Sequence, residues 1–212
     1  MFSAPQRVLV LAPHTDDGEL GAGGTIARLV EHGATVHYAA FSIAEESVPA
    51  GLPRDILASE VLEATAELGL SAEHVSTFRY AVRRFPEFRQ DLLEEILKLR
   101  RSVDPQLVLA PASTDLHQDH RVICEEAMRA FKNRALLGYE LIWNNVHFHG
   151  HMSIRLERRH VERKQKALAR YRSQAGRAYV SAEFVEGHAR TRGVQCGFDY
   201  AECFEVMRWV AD

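Results

Sequence analysis

Short aliphatic runs alternate with longer stretches of helical periodicity along most of this chain. Residues 8–11 (Val-Leu-Val-Leu) form the first run and stop at Ala12-Pro13; residues 35–41, 75–78 and 107–110 repeat the pattern, the last ending at Pro111. Apolar and β-branched runs of this length, closed by turn residues, read as strands. Apolar positions three and four apart mark the helices between them. One covers 20–32 and is closed by Gly33. A second runs from Pro53 to Gly69 with Ile56, Leu57, Val61, Leu62, Ala64 and Leu68 on one face. A third covers 87–101, where Leu92, Leu93, Ile96, Leu97 and Leu99 oppose Glu94, Glu95, Lys98 and Arg100, and a fourth covers 122–132. Strands and helices taking turns at these lengths predict right-handed βαβ units: an α/β fold, a mostly parallel sheet and helices on both faces.

The last third is less regular. Residues 139–151 (YELIWNNVHFHGH) read as extended, which sets His147, His149 and His151 on one strand face. A polar face lining a cleft, or a subunit contact, explains that alternation more simply than a second metal site. Residues 154–172 read as a basic helix in which Ile154, Val161 and Leu168 recur every seven positions and Tyr171 extends the stripe; its Arg and Lys residues form a solvated face. A short helix over 178–190 and a closing strand over 203–209 complete the prediction.

Composition narrows the classes. With 212 residues, 46% hydrophobic and 26% charged, the chain is expected to be one globular domain spanning 1–212. A net charge of −3 gives no electrostatic case for nucleic acid or an anionic membrane surface. Cys124, Cys196 and Cys203 are scattered and odd in number, which excludes a disulfide framework and a zinc motif and points to a reducing compartment. With no secretory signal and no apolar run of spanning length, a soluble cytoplasmic protein is expected.

The chemistry concentrates where two predicted strands end. After the first strand come His14, Asp16, Asp17 and Glu19, then Gly21, Gly23 and Gly24; after the fourth come Asp115, His117, Asp119 and His120. In open α/β sheets the ligand crevice lies at the carboxyl edge of the strands, so the two loops can converge there. One Asp at a helix start is usually a cap. A His and three acids in six residues call for a cation, because buried carboxylates need a partner. His14, Asp17 and His120 make a three-ligand set that suits zinc and leaves a position for water, whose pKa the ion lowers toward about 7. Asp16 is then placed as general base and His117 as donor to the oxyanion or the leaving nitrogen. Asp119 or Asp115 would hold the proton on the His117 imidazole, and Glu19 would bond a ligand or backbone amides, or serve the helix dipole. A nucleotide-binding module fits poorly: the glycines do not follow Gly-x-Gly-x-x-Gly, and acids precede them. A hydrolase of another bond, such as a two-metal phosphoesterase, needs bridging carboxylates where ligands for one metal are found.

His14-Thr15-Asp16-Asp17-Gly18-Glu19, with Leu20-Gly21 and Gly23-Gly24, resembles the His-Pro-Asp-Asp-x-Glu signature of the PIG-L/LmbE-like zinc de-N-acetylases. His117-Gln118-Asp119-His120-Arg121 resembles that family's second signature. The similarity extends to Lys164-Gln165-Lys166-Ala167-Leu168 with Ser173-Gln174, and to Tyr200-Ala201-Glu202-Cys203-Phe204-Glu205. The resemblance implies a Rossmann-like fold and one zinc per chain on His14, Asp17 and His120, with Asp16 as base and His117 as oxyanion stabiliser or acid. It further implies removal of acetate from a small-molecule N-acetylglucosamine-type substrate, and a homo-oligomer, trimer or hexamer. Asn144, Asn145, His149 and Arg155 are the candidates it leaves for substrate contacts. Thr15 replaces the family's Pro, leaving that loop freer and retaining an amide donor. Specificity is expected from loops 42–53 and 143–153.

Overall fold

The apolar runs pair edge to edge into one seven-stranded sheet in the order β3-β2-β1-β4-β5-β7-β6, seen in a computed structural model that describes residues 5–210. β1 (Arg7–His14), β2 (Thr35–Ser42), β3 (Val75–Thr77), β4 (Leu107–Pro111) and β5 (Ala135–Tyr139) run parallel. β7 (Tyr200–Arg208) pairs antiparallel with both β5 and β6 (Met152–Leu156). The sheet is thus mixed and mostly parallel, as the alternation of elements predicts.

Strand alternation decides which helices cover which face. Val8, Val10 and Ala12 of β1 point into a core built with α1 (Asp17–Glu31), α2 (Ile56–Glu67), α5 (Arg158–Leu168) and α6 (Ala182–Gln195). Leu9 and Leu11 point the other way, onto α3 (Arg89–Val103) and α4 (Gln118–Ala130). β1 is apolar on both sides because both sides are covered. Each fully buried Leu or Val contributes about 1.5–3 kcal/mol. Among the described residues no helix is long and apolar enough to cross a membrane, and the three cysteines are free.

Two expectations change. The segment 139–151 is not one strand: β5 ends at Tyr139, and the amides of Asn144 and Asn145 turn back onto the Leu141 carbonyl. The expected helix over 154–172 starts late, since Ile154 lies in β6; α5 opens at Arg158 on a reciprocal Glu157–His160 cap. Val161, Leu168 and Tyr171 of the predicted stripe are buried. The glycines after the first strand have a packing role. They lie inside α1, where a Cβ on Gly18 would meet the Tyr38 ring at 2.5 Å and one on Gly21 the Tyr139 ring at 2.3 Å, so they let α1 sink onto the sheet.

The chain passes from β1 outward through β2 and β3, then crosses back to β4 and β5 on the other side of β1. Such a reversal opens a crevice at the carboxyl ends of the two central strands. His14 is the last residue of β1, and the loop carrying Asp115 and His117 follows β4.

Candidate active site

The two acidic and histidine-rich loops meet at that crevice. His14 Nδ1 lies 3.1 Å from Asp17 Oδ2, His120 Nε2 lies 3.2 Å from the same oxygen, and the two nitrogens are 3.2 Å apart. Each imidazole is held from behind by a carboxylate: Asp119 Oδ2 is 3.0 Å from His14 Nε2, and Asp115 Oδ2 is 2.8 Å from His120 Nδ1. Those buried acids keep the ring protons on the outer nitrogens and turn both inner lone pairs toward Asp17.

Three electron-pair donors pointed at one spot repel unless a cation lies among them. The titration behaviour expresses that demand. Burial disfavours charge on His120, yet Asp17 and Asp115 outweigh it and hold its pKa at about 10; Asp17, against its own burial, is pulled far below the usual carboxylate range by the two histidines. Ligand atoms of a tetrahedral zinc site lie about 3.3 Å apart for bonds of about 2.0–2.1 Å. The donor set and its spacing therefore fit one such ion.

The expected pairing of Asp119 or Asp115 with the His117 ring is not found. His117 is the N-cap of α4, and its Nδ1 accepts the backbone N–H of Asp119 at 3.1 Å. That bond fixes the tautomer, leaving the ring proton on Nε2; no carboxylate holds it. Burial, with the His120 and His14 charges adding, depresses its pKa to about 4, so the ring is neutral. Asp115 serves His120 instead. Asp119 is wholly buried and accepts from His14, from the Arg83 amide at 2.5 Å and from the Phe85 amide at 3.2 Å, so it holds the His14 ring. A wider trio, His14, His117 and His120, also brings its nitrogens within 4.8 Å of one another. His117 can join it only by giving up the Nε2 proton, whereas Asp17 needs to give up nothing.

Asp16 is the N-cap residue of α1, beside Asp17, and its carboxylate makes no capping hydrogen bond. Burial lifts its pKa to about 6, Asp17 adds to the rise, and Arg177 opposes it. It opens into a cleft of about 200 Å³ lined also by Arg83, Trp143, Asn144, Arg177 and Tyr179. Trp143 stacks on Tyr179 with ring centroids 4.1 Å apart. Ala44 and Ser47 bring the predicted loop 42–53 to the cleft, and Trp143 and Asn144 the start of 143–153.

Of the four candidates for substrate contact, Asn144 lines the cleft and the other three lie outside it. Asn145 is buried, accepting from the Leu141 amide and donating to Thr114 Oγ1, and so shapes a turn. His149 stacks on His151, and Arg155 lies over Phe198 in a separate surface depression. His147, His149 and His151 form no metal-holding group among the described residues. Arg83, Trp143, Arg177 and Tyr179 were not anticipated. An exposed Trp in a polar loop was the one signal available; the arginines gave none.

Glu19, expected to bond a ligand or backbone amides or to serve the helix dipole, lies in the first turn of α1 and bonds none of His14, Asp17 and His120. It lies beneath the loop with the hydroxyls of Tyr38 and Tyr171, and both hydroxyls also reach the Thr15 carbonyl, at 2.8 and 2.7 Å. The loop is therefore pinned without the family's Pro. Burial raises the Glu19 pKa to about 8. A carboxyl raised by folding costs nothing below its ordinary value near 4.5 and increasingly more toward pH 8, about 3 kcal/mol by pH 7. Glu19→Gln, neutral throughout, should match the parent's melting temperature near pH 4.5 and exceed it by several degrees near pH 7.5. Parallel melting curves across that range would reject a neutral Glu19.

Residues 9–131 match the profile of a family described as GlcNAc-PI de-N-acetylase, PIG-L. A conserved protein of Thermus thermophilus is similar to the chain at a TM-score of 0.79 and 29% identity, over 98% of this chain and 97% of that one. The N,N′-diacetylchitobiose deacetylase of Pyrococcus horikoshii is similar at 0.79 and 22%, over 96% and 84%. The 4-carboxy-2-hydroxymuconate hydratase of Pseudomonas putida is similar at 0.75 and 20%, over 97% and 98%. At such identities the last two speak for the fold alone, and the pair illustrates that one fold hosts different reactions.

Proposed function

The chain belongs to the PIG-L family of GlcNAc-PI de-N-acetylases, and from that premise we propose a zinc-dependent hydrolase that removes the acetyl group from an N-acetylglucosamine-type sugar or conjugate. Membership makes the protein a hydrolase of acetamido groups; zinc, the sugar and the residue roles are what we add. One observation carries the reading: two imidazole nitrogens and a carboxylate oxygen within 3.2 Å of one another, beside the Asp16 carboxylate, which makes no capping hydrogen bond.

His14, Asp17 and His120 would hold the ion, which supplies Lewis acidity toward water and the acetamido carbonyl. Asp16 takes a proton from the attacking water and, once protonated, can return it to the departing amine. His117 donates its Nε2 proton in a hydrogen bond to the oxyanion that develops as the carbonyl is attacked. Asp115 and Asp119 keep the ligand rings aimed, and the Glu19–Tyr38–Tyr171 cluster keeps the loop of Thr15 and Asp16 in register. The stacked Trp143 and Tyr179 give a sugar ring an apolar face to lie against. The products are acetate and a free amino sugar.

Purified protein loaded with zinc should release acetate and free amine in equal amounts from N-acetylglucosamine conjugates. A strong chelator should abolish the release and added zinc restore it. Turnover that survives metal removal would refute the reading.

A further inference from the structure

A second depression, of about 920 Å³, shares no lining residue with the cleft. It is bordered by the end of β6, the first turn of α5, the later turns of α6 and the turn that leads into β7. Three arginines converge there from the first three of these elements: Arg155, Arg158 and Arg190. Each lies over an aromatic ring. Arg155 is 5.0 Å from the centre of the Phe198 ring, and Arg158 and Arg190 are 5.7 and 5.6 Å from the centre of the Tyr200 ring. The Tyr200 hydroxyl accepts from Arg158 at 2.9 Å and from Arg190 at 3.5 Å, and donates to Glu186 at 2.9 Å. One oxygen thus holds two guanidiniums side by side.

The positive charge at this spot is left largely unanswered. Among the described residues, Glu186 is the one acid in ion-pair range of the three, 3.6 Å from Arg158; Arg155 and Arg190 have none. Of the two acids on the border, Glu157 is engaged by Arg159, and Asp199 lies beyond ion-pair range of all three guanidiniums. Other arginines of the same helices are paired: Arg159 also with Glu31, and Arg192 with Glu140. The rim is apolar and as firmly fixed as the charges. Phe198 and Val194 are exposed. The turn that carries Phe198 closes through its N–H on the Gly193 carbonyl at 2.9 Å, and a Cβ on Gly193 would come within 2.7 Å of the Phe198 carbonyl oxygen. Charges and ring held in place before a ligand arrives reduce the ordering that binding costs.

A planar guanidinium matches phosphate oxygens through paired N–H bonds. A phosphate monoester carries about −1.5 to −2 at pH 7 and so answers two positive charges, where a carboxylate answers one. We propose that this depression is a second, non-catalytic binding site for a small phosphate monoester with an apolar or aromatic body. Arg158 and Arg190 hold the phosphate, and the body lies among Arg155, Phe198 and Val194. Its volume falls in the range of about 300–1,000 Å³ usual for small-molecule sites. The site stands apart from the cleft and binds whether or not the cleft is active.

Calorimetric titration of the zinc-loaded protein with phenyl phosphate, inorganic phosphate and benzoate tests the assignment. Phenyl phosphate should bind about tenfold or more tightly than either of the others, since inorganic phosphate lacks the body and benzoate the second charge. Arg158→Gln and Arg190→Gln should each weaken it about tenfold, and salt at about 500 mM should weaken it as well. Phe198→Ala should bring phenyl phosphate down to the level of inorganic phosphate. Arg155→Gln should also weaken binding; its guanidinium touches only a ring, so this loss has no structural explanation through the Tyr200 bonds. Arg177→Gln, in the cleft, should leave binding alone. Phosphate held at the metal centre is recognised by surviving every replacement in the depression. If that is all the binding seen, or if benzoate binds as tightly as phenyl phosphate, the proposal is overturned. A short glutamate peptide that binds where phenyl phosphate does not would overturn it in favour of an acidic protein partner.

Discussion

Asp16→Asn should lower the rate of acetate release by about 10²–10⁴-fold while the protein still binds one metal ion per chain. The replacement is isosteric at a residue whose carboxylate caps no helix amide, so neither fold nor ligand geometry has reason to change. Only basicity is lost. In the parent, Asp16 must be ionised to accept a proton, so activity is present above its pKa and falls away as pH drops through it. Burial and Asp17 put that pKa at about 6; a bound dication pulls it lower, and the acid limb of kcat should therefore lie below pH 6. In Asp16→Asn that limb should vanish along with the rate. Metal content, measured beside turnover, separates this outcome from loss of the ion. A variant that retains metal and full rate would remove Asp16 from the mechanism.

Much of this was legible in the sequence, for reasons that can be named. The runs at 8–11, 35–41 and 107–110 are long, aliphatic and closed by turn residues, and β1, β2 and β4 lie where those runs do. A parallel sheet places the ends of all its strands on one edge, so two clusters 100 residues apart could be brought together by topology alone. β5 was missed because its five residues, ALLGY, are few and follow the helix after only four intervening residues. β6 was missed because its half-buried Met152 and Ile154 fall in phase with the basic helix that follows.

The pairing of acids with histidines was legible only in kind. Asp119 lies between His117 and His120 in sequence, yet its side chain serves His14, 105 positions away, and its backbone amide serves His117. Proximity along the chain suggested the wrong ring. The same holds for other buried acids: Glu202 reaches from β7 to the amides of Gly24 and Thr25 in α1, and Glu205 holds the Ser113 amide and hydroxyl at the end of β4. These carboxylates fix the loops on which the ligands ride. Nothing local marks them, because their partners are donors that the fold supplies.

Which residue completes the metal triad is the point of largest remaining consequence. A pair of variants decides it. Asp17→Asn removes the one negative charge between His14 and His120 while its amide oxygen can still accept the His14 N–H, which Asp17 now accepts at 2.8 Å. If Asp17 is a ligand, metal retained after dialysis should fall by more than the factor of about 10–100 typical of losing an outer partner, and activity should fall with it. His117→Ala has the opposite expectation. His117 Nδ1 is already occupied by the Asp119 amide and its Nε2 carries a proton, so metal content should stay near one per chain while kcat drops about 10²–10³-fold, the loss of an oxyanion donor. The reverse result, an empty site in His117→Ala and a filled one in Asp17→Asn, would mean that His117 sheds its proton to coordinate and that the ion rests on three imidazoles. Oxyanion stabilisation would then have to come from another group in the cleft.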